Sequence, residues 1–434
     1  MGIKPSIYRR IDILKDERVV DMRLAVASIA FYEDVLSPNI SAKIMVADVG
    51  GSTKIAGSNE PLSLYEGMKI RGGEAVRVEI APNSDNTVGI DITDKPMYVN
   101  SIKTLIREGN KEFFMLNLSS RSGFDNERSF VEKAYSKEGR ISDHVSAIYN
   151  KFFPYGDIDV DQTTNKYGFI GNLKKPFDVL LNLASKAVPQ SIDSAGFFFY
   201  ETLEKHFFKS LDTLVQQPTK QLIYYAEADT PEIMGGNTDD RIIKYEILRN
   251  QSIISDMRRG AYATSRNFFD PVTFDVTDSE FDFTQSQYSE MFTLNDPLDD
   301  KDRKLAFDSK SLGEIPSLRL TETFDRGTNT AKEVTTDQTK YIDSYLSQRK
   351  VRYNSLFGQV IAVQIASNTN IHAGDIIDCE LPKLNGNPQS PQYDYEQMGG
   401  RYMVKEVCHY FDSRGSYTSM KLVRDSFGYR NQTS

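Results

Sequence analysis

Tryptophan is absent from this chain of 434 residues, and cysteine and histidine are scarce. The two cysteines, Cys379 and Cys408, lie in separate strand-like segments, so they form neither a disulfide framework nor a zinc site, and we expect two buried thiols. The chain has no GxSxG or HExxH motif and no histidines at metal-binding spacing; the histidines are His144, His206, His372 and His409. Local motifs therefore predict no catalytic residue, no cofactor site and no metal site.

Long apolar runs are also missing. A transmembrane helix needs roughly 20 consecutive apolar residues, and no segment approaches that length. The first residues, MGIKPSIYRRIDIL, have no apolar region of the kind that secretory signal peptides carry. We therefore expect no secretory signal and no membrane insertion by this chain.

Basic residues are outnumbered by acidic ones, 52 to 61, which gives a net charge of −9. This balance argues against nucleic-acid binding through a basic patch as the main task. It is compatible with an acidic surface that DNA passes without adhering. One acidic stretch, residues 270–309, is interpreted either as a solvated face or as the acidic rim of a channel.

Two acidic patterns are candidate sites. Asp157, Asp159 and Asp161 alternate at the start of DIDVDQTTNKYG, as in a calcium-binding loop. Such a loop needs glycine at its sixth position and glutamate at its twelfth, where this chain has Gln162 and Gly168, so we expect a polar connecting loop. A pair of carboxylates for glycoside hydrolysis stays open, since 61 acidic residues guarantee some close pairs, but no local signature supports one.

The first part of the chain is strand-rich. Residues 6–110 contain short β-branched or aromatic runs separated by turn residues at intervals typical of a barrel or sandwich. The period then changes, and residues 125–153 predict two short helices broken at Gly139, the first carrying Phe130 to Tyr135. A further helix is predicted within residues 174–191.

An aromatic stretch, SAGFFFYETLEKHFFKSLDTL, occupies residues 194–214. It predicts a hairpin, with one strand from Phe197 to Thr202 and a return strand from His206 to Leu211. Phe197 and Phe199 would share one face and Phe198 and Tyr200 the other. Because both faces are apolar, we expect the hairpin to be packed between other elements.

Strand character returns at residue 221. Residues 284–340 are polar and acidic and predict an insertion or long loops, and a helix is expected at the start of 341–359. Strands then close a second β unit, with a hairpin turn at SRGS, residues 413–416.

Two sets of residues resemble the hub proteins of contractile phage tails. This family includes the T-even-type baseplate hub subunit, the late control protein D and the N-terminal half of type VI secretion VgrG. The first set is a hairpin with an aromatic strand, an acidic residue and F-x-S-(L/I)-D: Phe199, Tyr200, Glu201, Phe208, Ser210, Leu211 and Asp212. The second crosses a C-terminal hairpin: Gly400, Tyr402, Val404, His409, Phe411, Gly415 and Tyr417.

The resemblance implies a mainly β (α+β) fold with two tail-tube-like β-barrels and an intervening α/β domain. The expected division is a first barrel at 1–110, a middle domain at 111–220 with the aromatic hairpin, a second barrel at 221–283 and 351–434, and a loop-rich insertion at 284–350.

The resemblance also implies a structural role without enzymatic activity. Three chains would form a pseudo-sixfold ring in the virion baseplate, assembled in the host cytoplasm. The spike protein would lie below the ring, the tail tube above it and the wedge proteins around it, and DNA would pass through without specific binding. The alternatives are a β-rich glycan-degrading enzyme and a carbohydrate-binding tail protein.

Overall fold

A computed structural model describes most of the chain: residues 5–49, 63–81, 89–109, 111–191, 194–225, 240–271, 273–282, 293–295, 304–323, 336–381 and 398–426. Within these ranges, no helix combines the length and the apolar character needed to cross a membrane. The fold is mainly β, as the sequence predicts.

In its described residues, the first β unit contains eight strands and one short helix. They are β1 (Ile7–Lys15), β2 (Arg18–Asp21), β3 (Val26–Asp34), β4 (Ser41–Asp48), α1 (Leu64–Met68), β5 (Ala75–Ala81), β6 (Ile90–Asp91), β7 (Met97–Glu108) and β8 (Lys111–Ser119). In β8, Phe114, Leu116 and Leu118 alternate with partly exposed residues and pack into the core of this unit. Period-2 alternation therefore buries one face of the sheet, as expected for a strand.

The middle part mixes short helices and strands. It contains α2 (Arg121–Glu127), β9 (Ala134–Tyr135), α3 (Ile141–Phe152), β10 (Ile158–Val160), β11 (Phe169–Ile170), α4 (Pro176–Ala184), β12 (Phe197–Glu201), β13 (His206–Ser210) and α5 (Leu211–Gln216). The predicted helices at 141–153 and 174–191 are confirmed by α3 and α4. The helix predicted around Phe130 to Tyr135 is wrong. Val131 instead exchanges backbone hydrogen bonds with Leu173 and Lys174, and β9 pairs with β11, so contacts distant in sequence hold this segment extended.

The last part contains the second β unit and a separate small sheet. Its elements are β14 (Gln221–Tyr224), β15 (Ile242–Asn250), α6 (Ile253–Arg259), β16 (Ala263–Phe269), β17 (Val276–Asp282), β18 (Leu318–Thr323), α7 (Thr336–Leu356), β19 (Gln359–Ala366), β20 (Ile376–Glu380), β21 (Gly400–Asp412) and β22 (Ser416–Arg424). The predicted turn between β21 and β22 is confirmed: the Asp412 amide donates to the Gly415 carbonyl.

Strand pairing differs from the expected division in two places. β8 follows residue 110 but is hydrogen-bonded to β4 and β7, so it lies with the first β unit. β16 and β17 were expected in the second barrel, but they pair with each other and with β18 in a separate three-stranded sheet. Otherwise the four-part division of the chain stays a prediction.

The aromatic hairpin is confirmed, and its two faces enter different cores. Phe199 lies opposite Phe208 in the β12–β13 pair. Phe197, Phe199 and Phe208 pack in the core of the middle part. Phe198 and Tyr200 pack instead with α5, α7 and strands of the second β unit. The hairpin therefore lies between two hydrophobic cores, which explains why both of its faces are aromatic.

Candidate functional site: the buried joint between the β units

The two β units are joined edge to edge within one continuous sheet. β3 of the first unit pairs antiparallel with β21 of the second, from Asp34 opposite Glu406 to Ser28 opposite Asp412. Phe411 of β21 reaches into the core of the first unit, where its ring meets Phe31 edge-on at 6.4 Å. Backbone hydrogen bonds and core packing together fix the position of one unit on the other.

The paired strands β3 and β21 form a seam between the two β units. Glu33 of β3 connects three parts of the chain at this seam. Its fully buried carboxylate accepts hydrogen bonds from the Leu203 amide at 2.8 Å, in the turn of the aromatic hairpin. It also accepts from the Ala373 amide at 2.9 Å and lies 3.0 Å from His372 Nδ1, both in the loop before β20. A single carboxylate therefore orients the first β unit, the hairpin and the second β unit relative to one another.

The Glu33–His372 pair favours its charged form. Burial acts to raise the pKa of Glu33, but attraction to His372 and the hydrogen bonds outweigh it, and the pKa lies below its ordinary value. Burial acts to lower the pKa of His372, and the negative charge of Glu33 outweighs that, so its pKa is raised. The nearby His409 is fully buried, which lowers its pKa to about 4. His372 is therefore favoured in its charged form beside Glu33, while the neighbouring His409 stays neutral.

Glu201, at the end of β12, ties the hairpin to the first β unit. Its carboxylate accepts from the Ile40 amide at 2.9 Å, from the Ser120 hydroxyl at 2.6 Å and from the Ser122 hydroxyl at 3.1 Å. Burial raises its pKa to about 7, although these donors act in the opposite direction. His206 Nε2 lies 3.6 Å away, and burial lowers the pKa of that imidazole to about 3.

Asp212 ties the same hairpin to α7. Arg352 donates to both of its carboxylate oxygens at 2.7 Å, and both side chains of this bidentate pair are buried. The Ser194 hydroxyl also bonds Asp212, and Arg352 bonds the Ala195 carbonyl at 3.0 Å. Ser210, two residues earlier, caps α5 by accepting from the Thr213 amide.

Two polar residues of the C-terminal pattern, Tyr402 and His409, make buried hydrogen bonds. The Tyr402 hydroxyl is buried within hydrogen-bond distance of Gln359 Oε1 and the Met398 carbonyl. His409 lies 3.1 Å from the Ile371 carbonyl and 3.2 Å from the Thr418 hydroxyl. Tyr402 and His409 thus each satisfy a buried backbone or side-chain group.

Comparison with known proteins shows which proteins this chain is similar to. No family model matches the chain. A probable baseplate hub protein, gp334, of Vibrio phage KVP40 is 21% identical over 381 residues, which is 85% of each chain. The chain has a TM-score of 0.53 to a tail protein from Neisseria meningitidis MC58, with 9% identity, covering 97% of this chain and 99% of that one. It has a TM-score of 0.51 to a 43 kDa tail protein of prophage MuSo2 from Shewanella oneidensis, with 8% identity, covering 96% and 98%.

The chain has a phage tail-protein fold and resembles a baseplate hub protein. The family resemblance seen in the sequence is confirmed. In this hub-like chain, several of the residues that carried the resemblance connect its parts or fix a local structure. Glu201 and Asp212 bond to segments far away in sequence, Ser210 caps a helix, and Phe411 enters the core of the other β unit.

The acidic and histidine residues that are candidates for metal binding or catalysis have structural partners. Lys209 lies 2.7 Å from Asp159 and 2.9 Å from Asp161, so the suspected calcium loop is bound to β13 by ion pairs. His144 Nε2 lies 3.0 Å from the Ser136 carbonyl. Among the described residues, no three His, Cys, Asp or Glu side chains are grouped so that they could hold a metal ion. Much of the acidic stretch 270–309 lies outside the described residues; Asp275, Asp278 and Glu280 are exposed.

Sequence reasoning missed Glu33, His372 and Arg352. No local motif marks them, because their partners lie 339 and 140 residues away along the chain. The one available signal was indirect: the resemblance marked Asp212 and Glu201 as acidic residues in an apolar hairpin, and a buried carboxylate requires partners.

Proposed function

We propose that this chain is a hub subunit of a contractile phage tail baseplate and that its role is structural. Three chains form a pseudo-sixfold ring that adapts the sixfold tail tube to the threefold spike. The spike protein binds below the ring, the tube protein above it and the wedge proteins around it. The subunit acts in the virion after assembly in the host cytoplasm.

The β3–β21 seam is the observation that carries this proposal. Two β units lie side by side in one sheet, so one chain supplies two neighbouring segments of a ring. The buried bonds of Glu33, Glu201 and Asp212 hold these segments at a fixed angle. A rigid pair of segments is what a closed ring requires, because small angular errors accumulate around it.

The solvent face of the seam is suited to a channel wall. A groove of about 650 Å³ runs across it, lined among others by Tyr32, Lys43, Gln364, Cys408 and Lys421. Charges of both signs alternate with small and polar side chains on this face. Together with the net charge of −9, it presents DNA with no continuous basic surface. The exposed acidic side chains of β17, Asp278 and Glu280, and the preceding Asp275 would contribute to the rim of the passage.

The buried carboxylates argue for scaffold rather than glycan hydrolysis. Glu33, Glu201 and Asp212 each accept hydrogen bonds from the protein itself, so they serve the fold. Incubation with peptidoglycan and polysaccharides tests this directly. We expect no release of reducing sugar; release by the wild-type chain that a carboxylate substitution abolishes would overturn the structural role.

Light scattering coupled to size exclusion, with the chain alone and co-expressed with its spike protein, tests the ring. We expect the mass of three chains in at least one condition, and ring-shaped particles with a central opening in electron micrographs. A monomer under both conditions would overturn the hub assignment.

A further inference from the structure

One of the three buried carboxylates that join the parts of the chain has no cationic partner. Glu33 lies beside a histidine that favours its charged form, and Asp212 is paired with an arginine. Glu201 accepts hydrogen bonds only from neutral groups, one backbone amide and two serine hydroxyls. Within the described ranges of the chain, no lysine or arginine forms an ion pair with it, although only 12% of its side chain is exposed.

The histidine nearest to Glu201 does not supply the missing charge. His206 Nε2 lies 3.6 Å from Glu201 Oε1, and the imidazole is only 2% exposed. Burial lowers the pKa of His206 to about 3, so the ring is neutral. Its Nε2 atom makes no hydrogen bond of normal geometry to any described residue. A buried carboxylate is costly unless it is paired, so this position favours a cation from outside the chain.

An open cleft leads to Glu201. It has a volume of about 630 Å³ and lies between the first β unit and the middle part of the chain. This volume is typical of pockets that hold small organic molecules. Its walls combine aromatic rings with exposed carboxylates: Tyr98, Phe153 and Tyr155, and Asp94, Asp157 and Glu204.

The basic residues of the same walls are held by other groups. Lys95 donates to a backbone carbonyl at 3.3 Å, and Lys205 lies 3.4 Å from Asp159. The Arg121 guanidinium lies over the Tyr155 ring at 4.0 Å. The cleft therefore presents more negative than positive charge to a ligand, and its aromatic rings offer an apolar surface.

The two oxygens of Glu201 differ in their free capacity. Oε2 has three donors at 2.6–3.1 Å, whereas Oε1 has one, the Ser122 hydroxyl at 3.1 Å. A guanidinium binds best to both oxygens of a carboxylate side by side, and an ammonium needs only one. The free oxygen of Glu201 thus fits an ammonium group.

We propose that this cleft binds an alkylammonium group, which pairs with Glu201 Oε1 while its carbon chain lies along the aromatic wall. A free polyamine and the side chain of a lysine on another tail protein present this same chemistry. The site lies within one chain and does not depend on the proposed ring.

Binding should strengthen as the pH rises through neutrality. The titratable groups around Glu201 are His206 of β13, Tyr149 of α3 and Glu33 of β3. The pKa values of His206 and Glu33 lie well below 6 and that of Tyr149 is raised above 10, so Glu201, with a pKa of about 7, is the one that titrates near neutrality. Its ionised fraction rises about tenfold between pH 6 and pH 8.5, and the affinity for an amine should rise by the same factor. His372→Gln should keep this rise, which excludes titration of His372 as its cause.

Isothermal titration calorimetry at physiological salt tests the site with putrescine, spermidine and Nα-acetyl-lysinamide, and with 1,4-butanediol as the uncharged control. We expect one amine per chain and no binding of the diol. Glu201→Gln should lower the amine affinity about tenfold or more. Asp278→Asn removes an exposed carboxylate of β17 outside the cleft and should leave the affinity unchanged. Tighter binding of spermidine would identify a free polyamine as the ligand, and tighter binding of the lysine derivative would identify a partner's lysine.

Three results would overturn the site. They are no binding of any amine, an affinity that is equal at pH 6 and pH 8.5, and an affinity that Asp278→Asn reduces as much as Glu201→Gln does. The last result would mean general attraction to an acidic chain. If Glu201→Gln does not fold, Tyr155→Ala takes its place, since that ring is 66% exposed on the cleft wall. It should weaken spermidine binding several-fold, and unchanged binding would contradict the proposal.

Discussion

Arg352 and Asp212, 140 residues apart in the chain, form a buried bidentate ion pair with both N–O distances at 2.7 Å. The pair fastens α7 to the end of the aromatic hairpin. Phe197 is bonded to the same helix, since its amide donates to the Tyr353 hydroxyl at 2.8 Å. α7 leads directly into β19, so the hairpin and the second β unit share one rigid connection.

Removal of one partner of this pair should be strongly destabilising. Asp212→Ala leaves the Arg352 guanidinium buried without its counter-charge, which typically costs about 3–5 kcal/mol. We expect a large fall in the melting temperature measured by calorimetry. Asp21→Ala is the matched control, because the Asp21–Arg23 pair is half exposed and such pairs contribute less than about 1 kcal/mol. Equal effects of the two substitutions would contradict the role of Asp212.

The hairpin aromatics should behave as core residues. Phe199 and Phe208 are cross-strand partners and almost fully buried. Phe199→Ala and Phe208→Ala should each cost about 3–5 kcal/mol, because each deletes a ring and leaves a cavity. Urea denaturation followed by circular dichroism measures the loss. Phe130→Ala, at a half-exposed position, should change the midpoint little; unchanged melting of the two core variants would show that the hairpin face is not packed as described.

The Glu33–His372 pair should make stability depend on pH. The folded pKa of His372 is raised, so its contribution is complete below its ordinary value of 6.5 and is lost as the pH rises through the folded value. The folded pKa of Glu33 is lowered, so its contribution is present above 4.5 and is lost as the pH falls. The pair therefore stabilises most between about pH 4.5 and 6.5.

His372→Gln isolates this contribution. The groups around His372 are Glu33, Asp375, Glu204 and His409. We expect the difference in stability between wild type and variant to be larger at pH 5.5 than at pH 8.5, in parallel urea titrations. A difference that is the same at both pH values would mean that His372 contributes packing and no charge.

Duplex DNA should bind weakly at physiological salt. Binding of DNA depends on basic side chains that displace counterions from phosphates, and this chain has nine more acidic than basic residues. Fluorescence anisotropy with a labelled duplex should give a dissociation constant weaker than about 1 μM, with little sequence preference. Submicromolar binding would indicate a basic surface and would count against passive passage of DNA.

Local sequence determined the strands and helices whose pattern was complete within a short window. Alternation in β8 and β19 buries one face by itself, and the doubly aromatic hairpin required cover on both faces before its neighbours were known. Tertiary structure decided the rest. Val131 is extended because Lys174 and Leu173 bond its backbone, although its own neighbourhood favours a helix. β16 and β17 have strand sequences, but which sheet they join depends on β18, about 50 residues later. The buried ion pairs depend most on tertiary structure: Glu33 pairs with His372, and Asp212 pairs with Arg352. A buried charge is costly unless it has a partner. The free-energy cost of leaving it unpaired does not depend on how far away along the sequence that partner lies.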